Sequence, residues 1–158
     1  MMKHVDLYTD GACSGNPGKG GYGFILCYKE TTKEFSQGYK FTTNNRMEMM
    51  AVIYGLKKLK EPCEVTVTTD SRYVLDGMTK WIFSWLKKGI FTNNPQKIKN
   101  ADLWKELYDL SRVHKLSWQW IKGHNEHPQN ERCDELARNA AASSDLLNDT
   151  QYELESKK

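Results

Sequence analysis

Hydrophobic and polar positions alternate along the first part of the chain, which is the two-residue period of β-strands with one buried face. The alternation predicts a first strand over residues 4–10. A turn-prone segment rich in glycine follows at 11–21. Two further strands are predicted at 22–28 and 34–42, and the short polar stretch between them is typical of a hairpin.

The period changes after these strands, where apolar residues recur at helical spacing over residues 44–60. An asparagine at the start and lysines at the end suit the helix dipole, and Pro62 ends the helix. Residues 64–69 are mostly β-branched and predict a strand. The remaining predicted elements are helices at 71–79, 81–88 and 100–112, a strand at 115–121 and a last helix at 129–142.

This order, β-β-β-α-β-α-α-α-β-α, predicts an α/β fold. A helix between strands 1 and 4 indicates a parallel pair with a right-handed crossover, whereas strands 1 to 3 indicate an antiparallel meander. Together they predict a mixed five-stranded sheet flanked by helices, in a single domain over residues 1–142. Residues 143–158 are polar and predict a flexible tail.

The composition is that of an ordinary globular domain, since 39% of the 158 residues are hydrophobic and 27% are charged. No apolar run approaches the length needed to span a bilayer. Charged residues also stand near the start, where a signal peptide has its apolar stretch. We therefore expect a cytoplasmic protein with no membrane partner, and a monomer is the default expectation.

Cysteine and histidine are spread without the paired spacing of a zinc site. The nearest approach to such a site is the group His124, His127 and Cys133. Reduced thiols and an ordinary loop explain this group better than a zinc site does. We expect neither a disulfide framework nor structural zinc.

Charge is distributed unevenly along the chain. The net charge is only +3, but residues 77–101 contain five lysines and no acidic residue, so that the rest of the chain nets −2. A basic segment on a near-neutral body is typical of a protein that binds a phosphate backbone. A solvated surface is the alternative, and charge alone does not separate the two.

Two aspartates end the predicted strands 1 and 4, in the pairs Thr9-Asp10 and Thr69-Asp70. If the strands are parallel neighbours, both carboxylates reach the same sheet edge, roughly 5 Å apart. The carboxyl ends of parallel strands are where α/β folds bind ligands. Two like charges this close repel each other unless a cation holds them, and a hard divalent ion such as Mg²⁺ prefers oxygen ligands.

Two more acidic residues fall near the same edge. Glu48 lies close to the start of the helix at 44–60, and Asp134 lies early in the last helix. Each is either a surface charge that stabilises the helix dipole or a ligand that points at the sheet edge. The residue pattern alone leaves both alternatives open.

Five sequence blocks stand out along the chain, at Tyr8–Gly18, Thr43–Glu48, Thr68–Tyr73, Trp120–His124 and Asn130–Ala137. Their residues, order and spacing resemble those of the type 1 ribonuclease H family of bacteria. A lone Thr-Asp-Gly would be weak support, whereas five ordered blocks over about residues 4–142 are highly specific. The resemblance implies the ribonuclease H-like fold.

The resemblance also implies an activity: an endonuclease that hydrolyses the RNA strand of RNA–DNA hybrids and leaves 5′-phosphate and 3′-hydroxyl ends. Asp10, Glu48, Asp70 and Asp134 would hold two Mg²⁺ ions, with Asp10 bridging both and Mn²⁺ as an alternative ion. His124 would take part in proton handling or product release. All five are expected to be catalytic.

An RNA-selective enzyme needs a sensor for the 2′-hydroxyl group, because that group separates RNA from DNA along the backbone. The resemblance implies that residues of this chain contact both the RNA strand and the DNA strand of a hybrid. Many relatives carry glutamine at position 72, whereas Arg72 cannot accept a hydrogen bond, so we expect it to contact a phosphate. The candidate contacts are Cys13, Asn16, Thr43, Asn44, Asn45, Arg46 and Arg72.

The lysine-rich segment 77–101 matches the basic protrusion with which the family grips the DNA strand. Trp81 and Trp85 stand four residues apart and share a helix face, which is more typical of a packing seam than of a stacking platform. The resemblance favours Trp81 for a substrate contact and interior packing for Trp85 and Trp104. The lysines expected to bind substrate are Lys87, Lys88, Lys97 and Lys99.

Two other functions remain open at this point. One is a different metal-dependent nuclease of the same fold, such as a resolvase-like or exonuclease domain. Such relatives differ in the helices after strand 4 and lack the basic protrusion. The other is a hybrid-binding module without catalysis, although all four acidic residues are present.

Overall fold

The structure is a computed structural model that describes residues 2–122 and 127–157. Within these ranges, no helix combines the length and apolar character that crossing a membrane requires. The strands are β1 Lys3–Ser14, β2 Gly18–Tyr28, β3 Thr31–Thr42, β4 Cys63–Thr69, β5 Lys115–Trp120 and β6 Leu146–Leu147. The helices are α1 Asn44–Lys57, α2 Arg72–Asp76, α3 Ile82–Lys87, α4 Ile90–Asn93, α5 Ala101–Val113, α6 Pro128–Ala142 and α7 Thr150–Ser156, with a π-helical turn at Gly77–Trp81 and a 3-10 turn at Pro95–Lys97.

The strands form one sheet in the order β5-β4-β1-β2-β3-β6. β1, β2 and β3 are antiparallel neighbours, and β4 lies parallel to β1 on its other side. β5 extends the sheet parallel to β4. The predicted fold class, meander and parallel pair are confirmed. The sheet has one strand more than predicted, because β6 pairs with β3.

The glycine-rich segment 11–21, predicted as a turn, is mostly strand. β1 continues to Ser14, and β2 begins at Gly18. Its first glycine is required for close packing, since a Cβ at Gly11 would lie 2.5 Å from the backbone nitrogen of Glu48. The absence of a side chain there brings the start of α1 directly onto β1.

Helices α1 and α6 cover opposite faces of the sheet. Two neighbouring glycines of β2 show this, since successive residues of a strand point to opposite faces. A Cβ at Gly20 would lie 3.0 Å from Met47 of α1, whereas a Cβ at Gly21 would lie 2.5 Å from the carbonyl oxygen of Ala137 in α6. α5 packs on the outer side of α1, so α1 is buried nearly all round. The core around α1 includes Leu7, Phe24, Ile53, Leu56, Val67 and Trp104.

The segment after α6 is more ordered than its polar composition predicts. Leu146–Leu147 pairs with β3 at Gly38–Tyr39, and α7 follows. Between them Asp149 is only 3% exposed and accepts hydrogen bonds from Thr42 and Arg46. The segment predicted as a flexible tail therefore contains a strand, a buried aspartate and a helix. Its Asp149 carboxylate pairs with the buried Arg46 guanidinium of α1.

Candidate active site

Three carboxylates from three elements meet at one edge of the sheet. Asp10 lies on β1, Asp70 follows β4 directly, and Glu48 lies near the start of α1. Tyr8 pairs with Thr68 across the parallel strands, so the two aspartates, each two residues further on, are level with each other. One oxygen of each carboxylate lies within 4.8 Å of the others.

Burial resolves one alternative that the sequence left open. Glu48 is 5% exposed and lies beyond the first turn of α1, so it is not a surface charge at the helix terminus. Burial, followed by the charges of Asp10 and Asp70, raises the pKa of Glu48 well above its usual value. Burial and then the charge of Asp70 raise the pKa of Asp10 to about 7. Three negative charges at this site therefore require protons or a cation.

The oxygen atoms of the cluster suit a divalent cation. Asp10 Oδ1 accepts the N–H of Gly11 at 2.9 Å. Within the described residues, Asp10 Oδ2 and Glu48 Oε1 are buried without a hydrogen-bond partner. Buried polar atoms without partners are costly, and hard cations such as Mg²⁺ bind carboxylate oxygens. These residues therefore fit a magnesium site.

Asp134 lies outside this group of three but close to it. It lies in α6 and accepts a hydrogen bond from Arg138 Nε at 2.8 Å. Its charge also raises the pKa of Asp10, after burial and the charge of Asp70. Cys133, the preceding residue, anchors α6 to β1 through a hydrogen bond from its Sγ to the Tyr8 carbonyl oxygen at 3.3 Å. The structure thus brings three of the four predicted carboxylates together and places the fourth beside them.

A cleft of about 550 Å³ opens next to Asp134. Its walls include Cys13 and Asn44. The Asn16 side chain accepts a hydrogen bond from the Asn44 N–H at 2.9 Å, and Thr43 caps α1 by accepting the Arg46 N–H at 3.2 Å. Of the predicted substrate contacts, Cys13 and Asn44 therefore line this cleft beside Asp134, and Asn16 contacts Asn44. Asn45 follows Asn44 and is partly exposed.

The comparison with known proteins agrees with this geometry. A family model described as RNase H matches residues 2–142. The chain belongs to the ribonuclease H family. It is accordingly an endoribonuclease and a hydrolase, as its sequence resemblance predicts.

Its relatives share nearly the whole chain. A ribonuclease H of Aeromonas salmonicida (strain A449) is 57% identical over 97% of this chain and 99% of its own length. A ribonuclease H of Escherichia coli O9:H4 (strain HS) is 55% identical over 98% and 99%.

Among solved structures, LC9-RNase H1, a type 1 RNase H with the type 2 active-site motif, superposes with a TM-score of 0.81 at 32% identity, over 100% of this chain and 82% of its own. LC11-RNase H1 in complex with an RNA/DNA hybrid gives 0.64 at 25%, over 87% and 96%.

Arg46 is a correction to the predicted site of this enzyme. The side chain is 1% exposed and cannot reach a substrate. Its three guanidinium nitrogens donate five hydrogen bonds, to Asp102, Asp149 and Asn100. Arg46 stands inside a family sequence block, but it holds α1, α5 and the chain end together.

The lysine-rich segment presents its charges to solvent. Trp104 is fully buried and Trp85 packs against the core, as predicted. Trp81 contacts Tyr73 at 5.5 Å between ring centroids and remains 37% exposed. It is therefore both part of the packing seam and accessible to a ligand. Within the described part of the chain, no ion pair occupies the exposed side chains of Lys87, Lys88, Lys97 and Lys99.

Sequence reasoning missed Trp120. Its indole Nε1 donates a hydrogen bond to the Asp70 carbonyl oxygen at 3.3 Å, and the Arg72 guanidinium lies over its ring. The signal available in the sequence was a tryptophan at the end of a predicted strand, next to the block that contains His124. His124 itself falls in residues 123–126, outside the described residues.

Proposed function

We propose that this enzyme hydrolyses the RNA strand of RNA–DNA hybrids with two magnesium ions, and that its products end in a 5′-phosphate and a 3′-hydroxyl. The family of the chain and its buried carboxylates support the proposal. The hybrid bound to the similar LC11-RNase H1 supports the choice of substrate. Manganese is the expected alternative ion.

Asp10, Glu48, Asp70 and Asp134 would hold the two ions. The orphaned oxygens of Asp10 and Glu48 support this ligand set. When bound, such a pair of ions activates a water and stabilises the leaving oxygen of an in-line displacement.

The protein's own hydrogen bonds prepare two of these carboxylates differently. The Gly11 N–H fixes Oδ1 of Asp10 and leaves Oδ2 available to a ligand. Asp134 Oδ2 accepts a hydrogen bond from Arg138, so a ligand at this oxygen would compete with Arg138. The Arg138 side chain is 61% exposed, and exposed ion pairs contribute little to stability, so Arg138 is easily displaced. His124 would handle a proton or assist product release.

The surface around the carboxylates would divide between the two strands of a hybrid. The cleft that includes Cys13 and Asn44 would receive the RNA strand, where its 2′-hydroxyl groups can be read. Asn16 contacts Asn44 of this cleft, and Thr43 and Asn45 flank Asn44 in the chain. The exposed lysines of 77–101 would neutralise phosphates of the DNA strand.

The observation that carries the proposal is the convergence of three carboxylates, of which Asp10 and Glu48 are buried and each have an oxygen without a partner among the described residues. The test is cleavage of a labelled RNA–DNA hybrid, beside duplex DNA, duplex RNA and single strands, with Mg²⁺, with Mn²⁺ and with chelator. We expect cleavage of the RNA strand of the hybrid alone, dependent on a divalent ion. End-group analysis of the products should give 5′-phosphates.

A matched control distinguishes loss of a cluster carboxylate from loss of any acidic side chain. Asp109 is exposed and lies outside the cluster, so Asp109→Asn should cleave like the wild type. Hybrid binding without cleavage under every ion would indicate a binding module. Cleavage of duplex DNA at a comparable rate would indicate another nuclease of this fold. Either result would reject the proposal.

A further inference from the structure

An arginine and a tryptophan form a pair on the surface beside Asp70. The Arg72 guanidinium carbon lies 5.1 Å from the centroid of the Trp120 ring. The Trp120 indole Nε1 donates to the Asp70 carbonyl oxygen at 3.3 Å. Both side chains remain accessible, since 57% of the Arg72 side chain and 40% of Trp120 are exposed. Neither residue belongs to the hydrophobic core or to the group of three carboxylates.

The sheet fixes the position of the indole. Trp120 is the last residue of β5 and pairs with Thr69, the last residue of β4. The N–H of Ile121, the residue that follows β5, donates to the Thr69 carbonyl oxygen at 3.0 Å. Because tryptophan is the strongest aromatic partner for a cation, Trp120 holds the guanidinium of Arg72 next to the carboxylates.

The Arg72 guanidinium keeps most of its donors available. Its ion pair within the described part of the chain is with Asp76 at 3.6 Å, which is longer than a hydrogen bond. Lys80 approaches the same carboxylate oxygen at 3.7 Å, so the three side chains carry a net positive charge. Arginine has five N–H donors and no acceptor, which suits an anion.

We propose that Trp120 is a positioning residue, which holds the Arg72 guanidinium beside the carboxylate cluster for the phosphate contact that the sequence predicts for Arg72. This inference rests on the proposed function, because it needs a nucleic acid at the site. A planar guanidinium matches two phosphate oxygens at once, whereas a reader of the ribose hydroxyl gains from an acceptor that arginine lacks.

The test is a double-mutant cycle on hybrid cleavage, with Arg72→Gln, Trp120→Leu and the double variant. Arg72→Gln should raise KM about tenfold with kcat changed little, because a charge-assisted hydrogen bond is lost. Trp120→Leu should raise KM about threefold to tenfold in the wild type, which is the range of a cation–π contact. In the Arg72→Gln background the same change should have almost no effect.

Two further variants test the geometry of the contact. Arg72→Lys keeps the charge but loses the plane, so its KM should match that of Arg72→Gln while the salt dependence of binding stays that of the wild type. Trp120→Phe offers a weaker aromatic face and should fall between Trp120→Leu and the wild type. Arg112 lies over Tyr108 at 5.9 Å, away from the carboxylates, and Arg112→Gln is the matched control with unchanged KM.

Three results would overturn the inference. One is an equal effect of Trp120→Leu in both backgrounds, which would mean that Trp120 acts independently of Arg72. Another is wild-type KM for Arg72→Lys, which would reduce Arg72 to an unspecific charge. The third is a drop in kcat and melting temperature, without a change in KM, for both Trp120 variants. A wild type that cleaves no hybrid would instead reject the proposed function itself.

Discussion

Two groups of buried charged side chains in this enzyme have opposite hydrogen bonding. Arg46 is 1% exposed, and its guanidinium donates five hydrogen bonds to side-chain oxygens. Asp10 and Glu48 are 3% and 5% exposed, yet each has a buried oxygen that lacks a partner within the described residues. Similar burial therefore goes with a full set of hydrogen-bond partners for Arg46 and with missing partners for Asp10 and Glu48.

The difference separates a structural charge from a chemical one. A buried charge with all its partners, such as Arg46, stabilises one arrangement of the chain and presents no group to a ligand. A buried carboxylate with unmet oxygens destabilises the protein alone and gains when a cation binds. Both groups involve α1, since Arg46 and Glu48 are two residues apart on it.

The largest expected effect is on catalysis at the deficient site. Asp10→Asn or Asp70→Asn should lower hybrid cleavage by more than about a hundredfold, because each bound metal contributes several kcal/mol to the transition state. Binding of the hybrid should change little, since the proposed phosphate contacts come from other side chains, Arg72 and the exposed lysines. Steady-state cleavage and equilibrium binding, measured on the same preparations, check both statements. Residual activity above a hundredth would count against the ligand assignment.

The next largest effect is on folding at the satisfied site. Arg46→Met should lower the free energy of unfolding by about 3–5 kcal/mol, because the buried Asp149 loses its partner. The exposed pair of Lys57 and Glu106, at 2.6 Å, supplies the control, and Lys57→Met should cost less than about 1 kcal/mol. Denaturant unfolding measures both. Similar losses in the two variants would contradict the structural role of Arg46.

A third effect concerns pH and the metal-free protein. The raised pKa of Asp10, about 7, means that the folded state binds its proton more tightly than the unfolded state. Stability without metal should therefore fall as pH rises from about 4 to about 7. Asp10→Asn should remove about 1–3 kcal/mol of this dependence. Unfolding in chelator at several pH values checks it, and identical pH profiles in both proteins would disprove it.

The smallest expected effect is on hybrid binding by the exposed lysines, which belong to neither buried group. Replacing Lys87, Lys88, Lys97 and Lys99 with alanine should weaken hybrid binding and flatten the slope of log affinity against log salt by about two units. Turnover at saturating substrate should survive. An unchanged slope would make the segment a solvated surface, and lost turnover with unchanged affinity would make it catalytic.

Local sequence patterns predicted the elements that build the carboxylate cluster. Residues 4–10 and 64–69 have strand character, and the helix between them requires a parallel pair, which brings Asp10 and Asp70 to one edge. The pattern did not settle Glu48, because a helix-start acid looks the same whether it faces solvent or the sheet. Only the close packing of α1 on Gly11 decides that Glu48 is buried.

Contacts between distant residues escaped prediction. Arg46 stands in a family block, and a block does not tell which of its side chains are exposed. Its partner Asp149 lies in a polar stretch that resembles a tail. The hydrogen bonds from the buried Arg46 guanidinium hold this stretch in place, and local sequence does not reveal them. The pair of Arg72 and Trp120 depends on the register of β5 against β4, which no local period specifies.

The most direct measurement compares thermal unfolding of the wild type and Asp10→Asn, in chelator and with Mg²⁺ or Mn²⁺ at matched ionic strength. If the unmet oxygens of Asp10 and Glu48 form a metal site, the variant melts at a higher temperature in chelator, because repulsion is relieved. Divalent ions then raise the melting temperature of the wild type and leave that of the variant nearly unchanged. A variant that melts lower in chelator, or that gains as much from the ions as the wild type does, would contradict the assignment of the cluster as a metal site.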